Sequence, residues 1–109
     1  MHGNLIGLDD AVMQTLAAVI DPEVGINIVD LGLVYLATKR ADRIHVDLTL
    51  TSRACPLGES VVAEARDCLE QAFPEAVVDI SLVWEPPWHP DFITESGRAE
   101  LDPSARRLF

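Results

Sequence analysis

The chain has 109 residues, 49% of them hydrophobic, and a formal net charge of −10. That length suits one compact domain with a modest core, and the acidic balance argues against a nucleic-acid partner, which would want a basic face. The opening Met1-His2-Gly3-Asn4 has no basic segment followed by an apolar stretch, and no apolar run approaches the roughly 20 residues of a membrane span. No signal peptide or membrane association is therefore expected, and the cytoplasm is the expected location. A single domain over residues 1–109 is expected, with a core at about 9–85 and a proline-rich connector and tail over 86–109.

Asp9 is placed to cap a first helix, Asp10 suits its first turn, and Leu8 can staple against Met13. Val12, Leu16, Val19 and Ile20 give that helix one apolar stripe, and Pro22 ends it, because the residue before proline is pushed out of the helical region. The segment from Asp21 to Gly32 is too apolar for a free linker and too rich in turn residues for a regular element. It reads as an ordered loop carrying Ile26, Ile28 and Val29 into the core. A strand follows over about Leu33 to Thr38, then a turn at Lys39 to Asp42. In the next strand Ile44, Val46, Leu48 and Leu50 alternate with His45, Asp47, Thr49 and Thr51, the period of a half-buried strand. The short turn makes the two strands an antiparallel hairpin.

The chemistry concentrates where this strand gives way to helical spacing. From Leu57 the apolar positions are Leu57, Val61, Ala65, Leu69 and Phe73. Proline is favoured at the first helical position, where its missing N–H would be unpaired anyway. With Pro56 there, Cys55 becomes the N-cap, its sulfur facing the amides of Leu57 and Gly58 and the positive end of the helix dipole. A thiolate is stabilised in such a place, and its pKa falls below the free value of about 8.5. Gly58 leaves the approach to sulfur uncluttered. Arg53 either lowers the thiol pKa further or is simply solvated. Cys68 lies 13 residues on, roughly 20 Å away along one helix at about 1.5 Å per residue, too far for a disulfide. Both thiols are expected to be free, in a reducing compartment, with Cys68 filling the core.

The second helix stops near Phe73, before Pro74. Ala76, Val78, Ile80, Leu82 and Trp84 then alternate with Val77, Asp79, Ser81 and Val83 as a third strand. Pro86, Pro87 and Pro90 form an extended connector, and a short helix spans about Glu95 to Leu101. The order helix, strand, strand, helix, strand defines a small two-layer α/β or α+β domain, with helices on one face of a mixed three-stranded sheet. The strand–helix–strand unit is expected to cross over right-handed.

The polar residues nearest the thiol are Thr49, Thr51 and Ser52 before it and, in the loop after the first helix, Asp21 and Glu23. They either support the thiol or do local work, the hydroxyls satisfying a loop and Asp21 capping the following turn. A hydrolytic cysteine enzyme needs a base within reach of sulfur. His2 is terminal, His45 lies roughly 30 Å up an extended strand, and nothing fixes His89, so no catalytic role is expected. No close pairs of cysteine or histidine exist for a zinc site. A single exposed thiolate can still bind metal by sharing it with a second subunit, which makes a homodimer plausible, or with a partner's cysteines. Trp84 and Trp88 either pack the strand end and pin the tail or form an aromatic and proline ledge for a partner.

Three blocks carry a resemblance. They are Asp21-Pro22-Glu23-Val24 with Asn27 to Tyr35, then Leu48 to Ser52 followed by Cys55-Pro56-Leu57, then Val83-Trp84-Glu85-Pro86-Pro87-Trp88 with Pro90-Asp91. The chain resembles the small iron–sulfur assembly domain of SufT, of the eukaryotic cytosolic targeting proteins, of PaaD and of the front of some Mrp-type ATPases. The resemblance implies an accessory role in iron–sulfur cluster assembly, a reactive cysteine at Cys55, an acidic loop at Asp21 and Glu23, and a hydroxyl pair at Thr51 and Ser52. It implies iron or an iron–sulfur cluster held transiently rather than permanently, with assembly proteins and client apo-proteins as partners. Arg53-Ala54 and His89 depart from the family pattern. The chain lacks the cysteine-rich tail expected of PaaD-type members. The alternative is an adaptor that recruits assembly or oxygenase-complex proteins, with Cys55 only a structural cap.

Overall fold

The computed structural model describes residues 7–51 and 58–101. The first helix, α1, runs Asp10–Leu16, with the Asp9 carboxylate accepting from the Val12 N–H at 3.0 Å. It is shorter than the apolar stripe predicts. The amides of Ala18 and Val19 turn back on Thr15 and Leu16, and the Val19 carbonyl accepts from Ile28. Ile20 bridges Asn27, so this end of the stripe is spent on a tight loop rather than a helix. Val19 is still buried, but Ile20 is exposed.

That loop is ordered by its own backbone. Asp21 and Ile26 are bonded across it, Gly25 adopts a φ of +83°, and Ile26, Ile28 and Leu31 are all buried. Strand β1 (Val34–Arg40) pairs antiparallel with β2 (Arg43–Leu48) through a turn at Ala41 and Asp42. Ala41 carries a φ of +52°, a conformation side chains disfavour. Helix α2 is described over Gly58–Ala72 and leads to β3 (Val77–Leu82), which pairs parallel with β2. The sheet order is therefore β1-β2-β3, a mixed sheet. The outer edge of β1 is covered by Gly7 and Asp9, which exchange backbone bonds with Ala37, and this shields an edge that would otherwise be open to pairing.

Helices α1 and α2 pack on one face of the sheet over Ile44, Val46, Leu48, Ala37 and Val78, joined by Val12, Leu16, Val61, Ala65 and Leu69. A bulge between Val34 and Leu36 adds a residue to β1. Val34 and Ala37 both reach the core as a result, while Tyr35 and Leu36 are left half-buried. The third strand ends at Leu82, two residues before Trp84, and Leu82 is 42% exposed rather than part of the apolar face.

The C-terminal segment returns over the first half of the chain. Trp88 Nε1 donates to the Leu31 carbonyl at 2.7 Å, and Tyr35 donates its hydroxyl to the Pro86 carbonyl at 2.8 Å. A single 3-10 turn at Pro90–Phe92 lies against Gly32, where a Cβ would come 2.4 Å from the Phe92 carbonyl oxygen. Helix α3 (Glu95–Leu101) follows, with Thr94 bonded to Asp30 through both its N–H and its hydroxyl. These contacts strap residues 86–97 onto the loop at 27–35.

Candidate functional site

Cys55, Ser52, Arg53, Ala54, Pro56 and Leu57 lie outside the described residues, and so does the expected N-cap at Cys55. The residues on either side are described. Strand β2 stops at Leu48, and Leu48, Thr49 and Leu50 are then buried in succession, so the alternation that puts Thr49 on a polar face breaks one residue early. Thr49 donates its N–H to the Leu33 carbonyl, and its buried hydroxyl has no hydrogen-bond partner among the described residues. Thr51 is half-buried. Gly58 is buried, and a Cβ there would stand 2.5 Å from Leu50 Cδ1. Leu50 takes the space that the missing side chain leaves, so Leu50 and Gly58 pack together at the two ends of the Cys55 segment.

In the acidic loop the two carboxylates have different surroundings. Asp21 is buried, and its Oδ1 accepts from the amides of Glu23 at 2.8 Å and Val24 at 3.2 Å. It caps its own turn, as aspartate does at such positions. Glu23 is exposed. The turn that follows is organised in the same way, Asn27 accepting from the Asp30 amide and donating to the Asp30 carboxylate. Trp84 and Trp88 are both half-buried, and the Trp88 N–H is committed to the strap.

Three titratable groups are displaced from their ordinary values. Burial pushes the Cys68 thiol up, helped by Glu64 and Asp67, so this half-buried free cysteine stays protonated and unreactive at neutral pH. His45 spans two carboxylates, Nε2 lying 2.8 Å from Asp47 and Nδ1 3.1 Å from Asp79. Its pKa is raised chiefly by the bond to Asp47, against the opposing effect of burial and with the aid of Asp79. Tyr35 is raised by burial and by Glu85, while the neighbouring Thr49 hydroxyl pulls it back. The Tyr35 proton goes to the Pro86 carbonyl, and Thr49 makes no well-formed hydrogen bond to the tyrosine oxygen.

Among the described residues, no three His, Cys, Asp or Glu groups are gathered as metal ligands would be. No helix among them is long and apolar enough to cross a membrane. A groove of about 680 Å³ opens where the β1 bulge, Asp47 and the strap meet. Sequence reasoning missed it, because its walls come from segments about 50 residues apart. The one signal in the sequence was the exposed aromatic and proline character of Pro86 to Phe92.

The fold and this arrangement define a small α+β domain with no described catalytic constellation. Residues 9–82 match the family described as iron–sulfur cluster assembly protein, and the chain belongs to that family. It is 36% identical over 95 residues to the Fe-S protein maturation auxiliary factor YitW of Bacillus subtilis, a match covering 86% of this chain and 93% of that protein. It is 37% identical to the Fe-S protein maturation auxiliary factor SufT of Staphylococcus aureus, over 76% of this chain and 96% of the other. Among solved structures it is similar to a domain of unknown function, DUF59, from Bacillus anthracis. The TM-score there is 0.80 at 33% identity, over 84% of this chain and 89% of that one. Both of these relatives are named as auxiliary factors rather than for a reaction.

Proposed function

We propose that the chain is an accessory factor in iron–sulfur protein maturation, acting on assembly proteins and apo-clients in the cytoplasm. The observation that carries this reading is the near full-length similarity to relatives named Fe-S protein maturation auxiliary factors. Cys55 is the functional thiol in this reading. It ligates iron or a cluster transiently, as cargo in transit, with Asp21, Glu23, Thr51, Ser52, Pro56 and Gly58 shaping its surroundings. Trp84 and Trp88 contribute to the surface a partner meets.

Two features of the described residues support it. The contact between Leu50 and Gly58 brings the two ends of the Cys55 segment side by side. The raised pKa of Cys68 leaves Cys55 as the cysteine free to act as thiolate. A lone thiol binds metal weakly and releases it readily when the remaining ligands come from a second protein, which suits transfer rather than storage. The test is anaerobic reconstitution with iron and sulfide of the wild type and Cys55→Ala, read by absorbance and molecular size. The wild type is expected to acquire charge-transfer absorbance that the variant lacks. Equal absorbance in both would remove Cys55 from the mechanism.

A further inference from the structure

We propose that the groove between the β1 bulge and the C-terminal strap docks an extended peptide of a partner protein, and that it takes an arginine side chain. Tyr35 and Phe92 stand edge to face at 6.1 Å along one wall, and Phe92 is 38% exposed, so the ring is open to a ligand. Leu36 and Val83 add apolar surface, and among the described residues of the lining the charged ones are Asp47 and Glu85, with no cation. Asp47 is shared with His45. Glu85 is exposed and makes no ion pair or hydrogen bond with any described residue. Glu85 and Tyr35 both line the groove, which places a carboxylate and a ring on one surface.

A guanidinium fits this combination. It stacks flat on aromatic rings and pairs with a carboxylate through a planar fork, whereas an ammonium is a compact, strongly hydrated charge. The open shape and the volume of about 680 Å³ suit a few residues of extended chain rather than a buried metabolite. The net charge of −10 draws basic segments toward the surface. The described lining residues come from the β1 region, Asp47 and the strap, and the experiment reads peptide binding, which involves no thiol chemistry.

The experiment titrates the ¹⁵N-labelled full chain with three capped pentapeptides, Ala-Leu-Arg-Leu-Ala and its versions with Gln or Glu at the centre. The Arg peptide is expected to shift the amides of Tyr35, Leu36, Glu85 and Phe92, and to bind at least about fivefold more tightly than the Gln peptide, the scale of one exposed cation–π and ion-pair contact. Glu85→Gln should remove the ion-pair share and cut the Arg preference to about twofold, the rest of the spectrum being unchanged, and Phe92→Ala should weaken both peptides. Equal binding of all three peptides, an Arg preference that Glu85→Gln leaves undiminished, or no groove shifts at about 5 mM peptide would overturn the proposal.

Discussion

On one face of the sheet Val34, Ala37, Ile44, Val46, Leu48 and Val78 are buried beneath α1 and α2. On the other, Leu36, Thr38, His45, Asp47, Asp79 and Ser81 are half-buried or exposed, and the His45 imidazole bridges strands β2 and β3 through two carboxylates. The first face is held by apolar area removed from water, which no pH change touches. The second is held by charge and by the strap, and it carries the groove. The same strands therefore supply a rigid platform on one side and a tunable, recognising surface on the other. Substitutions on the two sides should differ in size and in their response to pH.

The largest effect is expected on the helix-covered side. Leu48→Ala removes a fully buried side chain and should cost about 2–5 kcal/mol by chemical denaturation, by an amount that does not vary with pH. A loss below about 1 kcal/mol would mean that this face is loosely packed. Next comes the strap. Gly32 combines a φ of +77° with a Cβ direction that runs into Phe92, so Gly32→Ala should lower stability by about 2 kcal/mol or more. It should also raise the exposure of Trp88 to fluorescence quenchers as the strap lifts. An unchanged emission spectrum with unchanged stability would separate the strap from the fold.

Smaller effects belong to the open face. Because the His45 pKa is raised above 6.5 in the folded chain, its contribution is complete below that value and is lost as pH rises through the folded pKa. Stability should therefore decline as pH rises above about 6.5 and through the folded pKa, and Asp47→Asn should flatten the decline. The imidazole is partly open to water, so the effect is about 0.5 kcal/mol or less. A gain rather than a loss is expected at the hairpin turn. Ala41→Gly relieves a positive φ and should raise stability by up to about 1 kcal/mol.

Much of the helix-covered side could be read locally. Asp9 caps the helix it precedes, Ile26 and Ile28 enter the core from an irregular loop, and Glu95–Leu101 is helical as its pattern predicts. Failures came where a distant partner outweighed local period. Ile20 has helical spacing but bridges Asn27. Thr49 fits an alternating strand, yet it is buried because the strand has already ended. Leu82 keeps the parity of Val78 but is exposed at the end of its strand. The groove was hardest to foresee. It depends on a β1 bulge that no residue type marks and on bonds such as Tyr35 to Pro86 and Trp88 to Leu31, which join residues more than 50 positions apart. For the site, the residue types around Cys55 were legible, and so was the capping role open to Asp21. The packing of Leu50 into the space beside Gly58 was not, because it needs the folded backbone.

The proposed function requires the Cys55 thiol to handle iron for other proteins. Its most direct test measures the activity of an iron–sulfur client enzyme in cells whose own copy of this factor is replaced by Cys55→Ala, with the variant's folding checked by its thermal transition. Client activity is expected to fall to the level of cells lacking the factor, while the transition stays within a few degrees of the wild type. Full client activity supported by a well-folded variant would contradict the central claim.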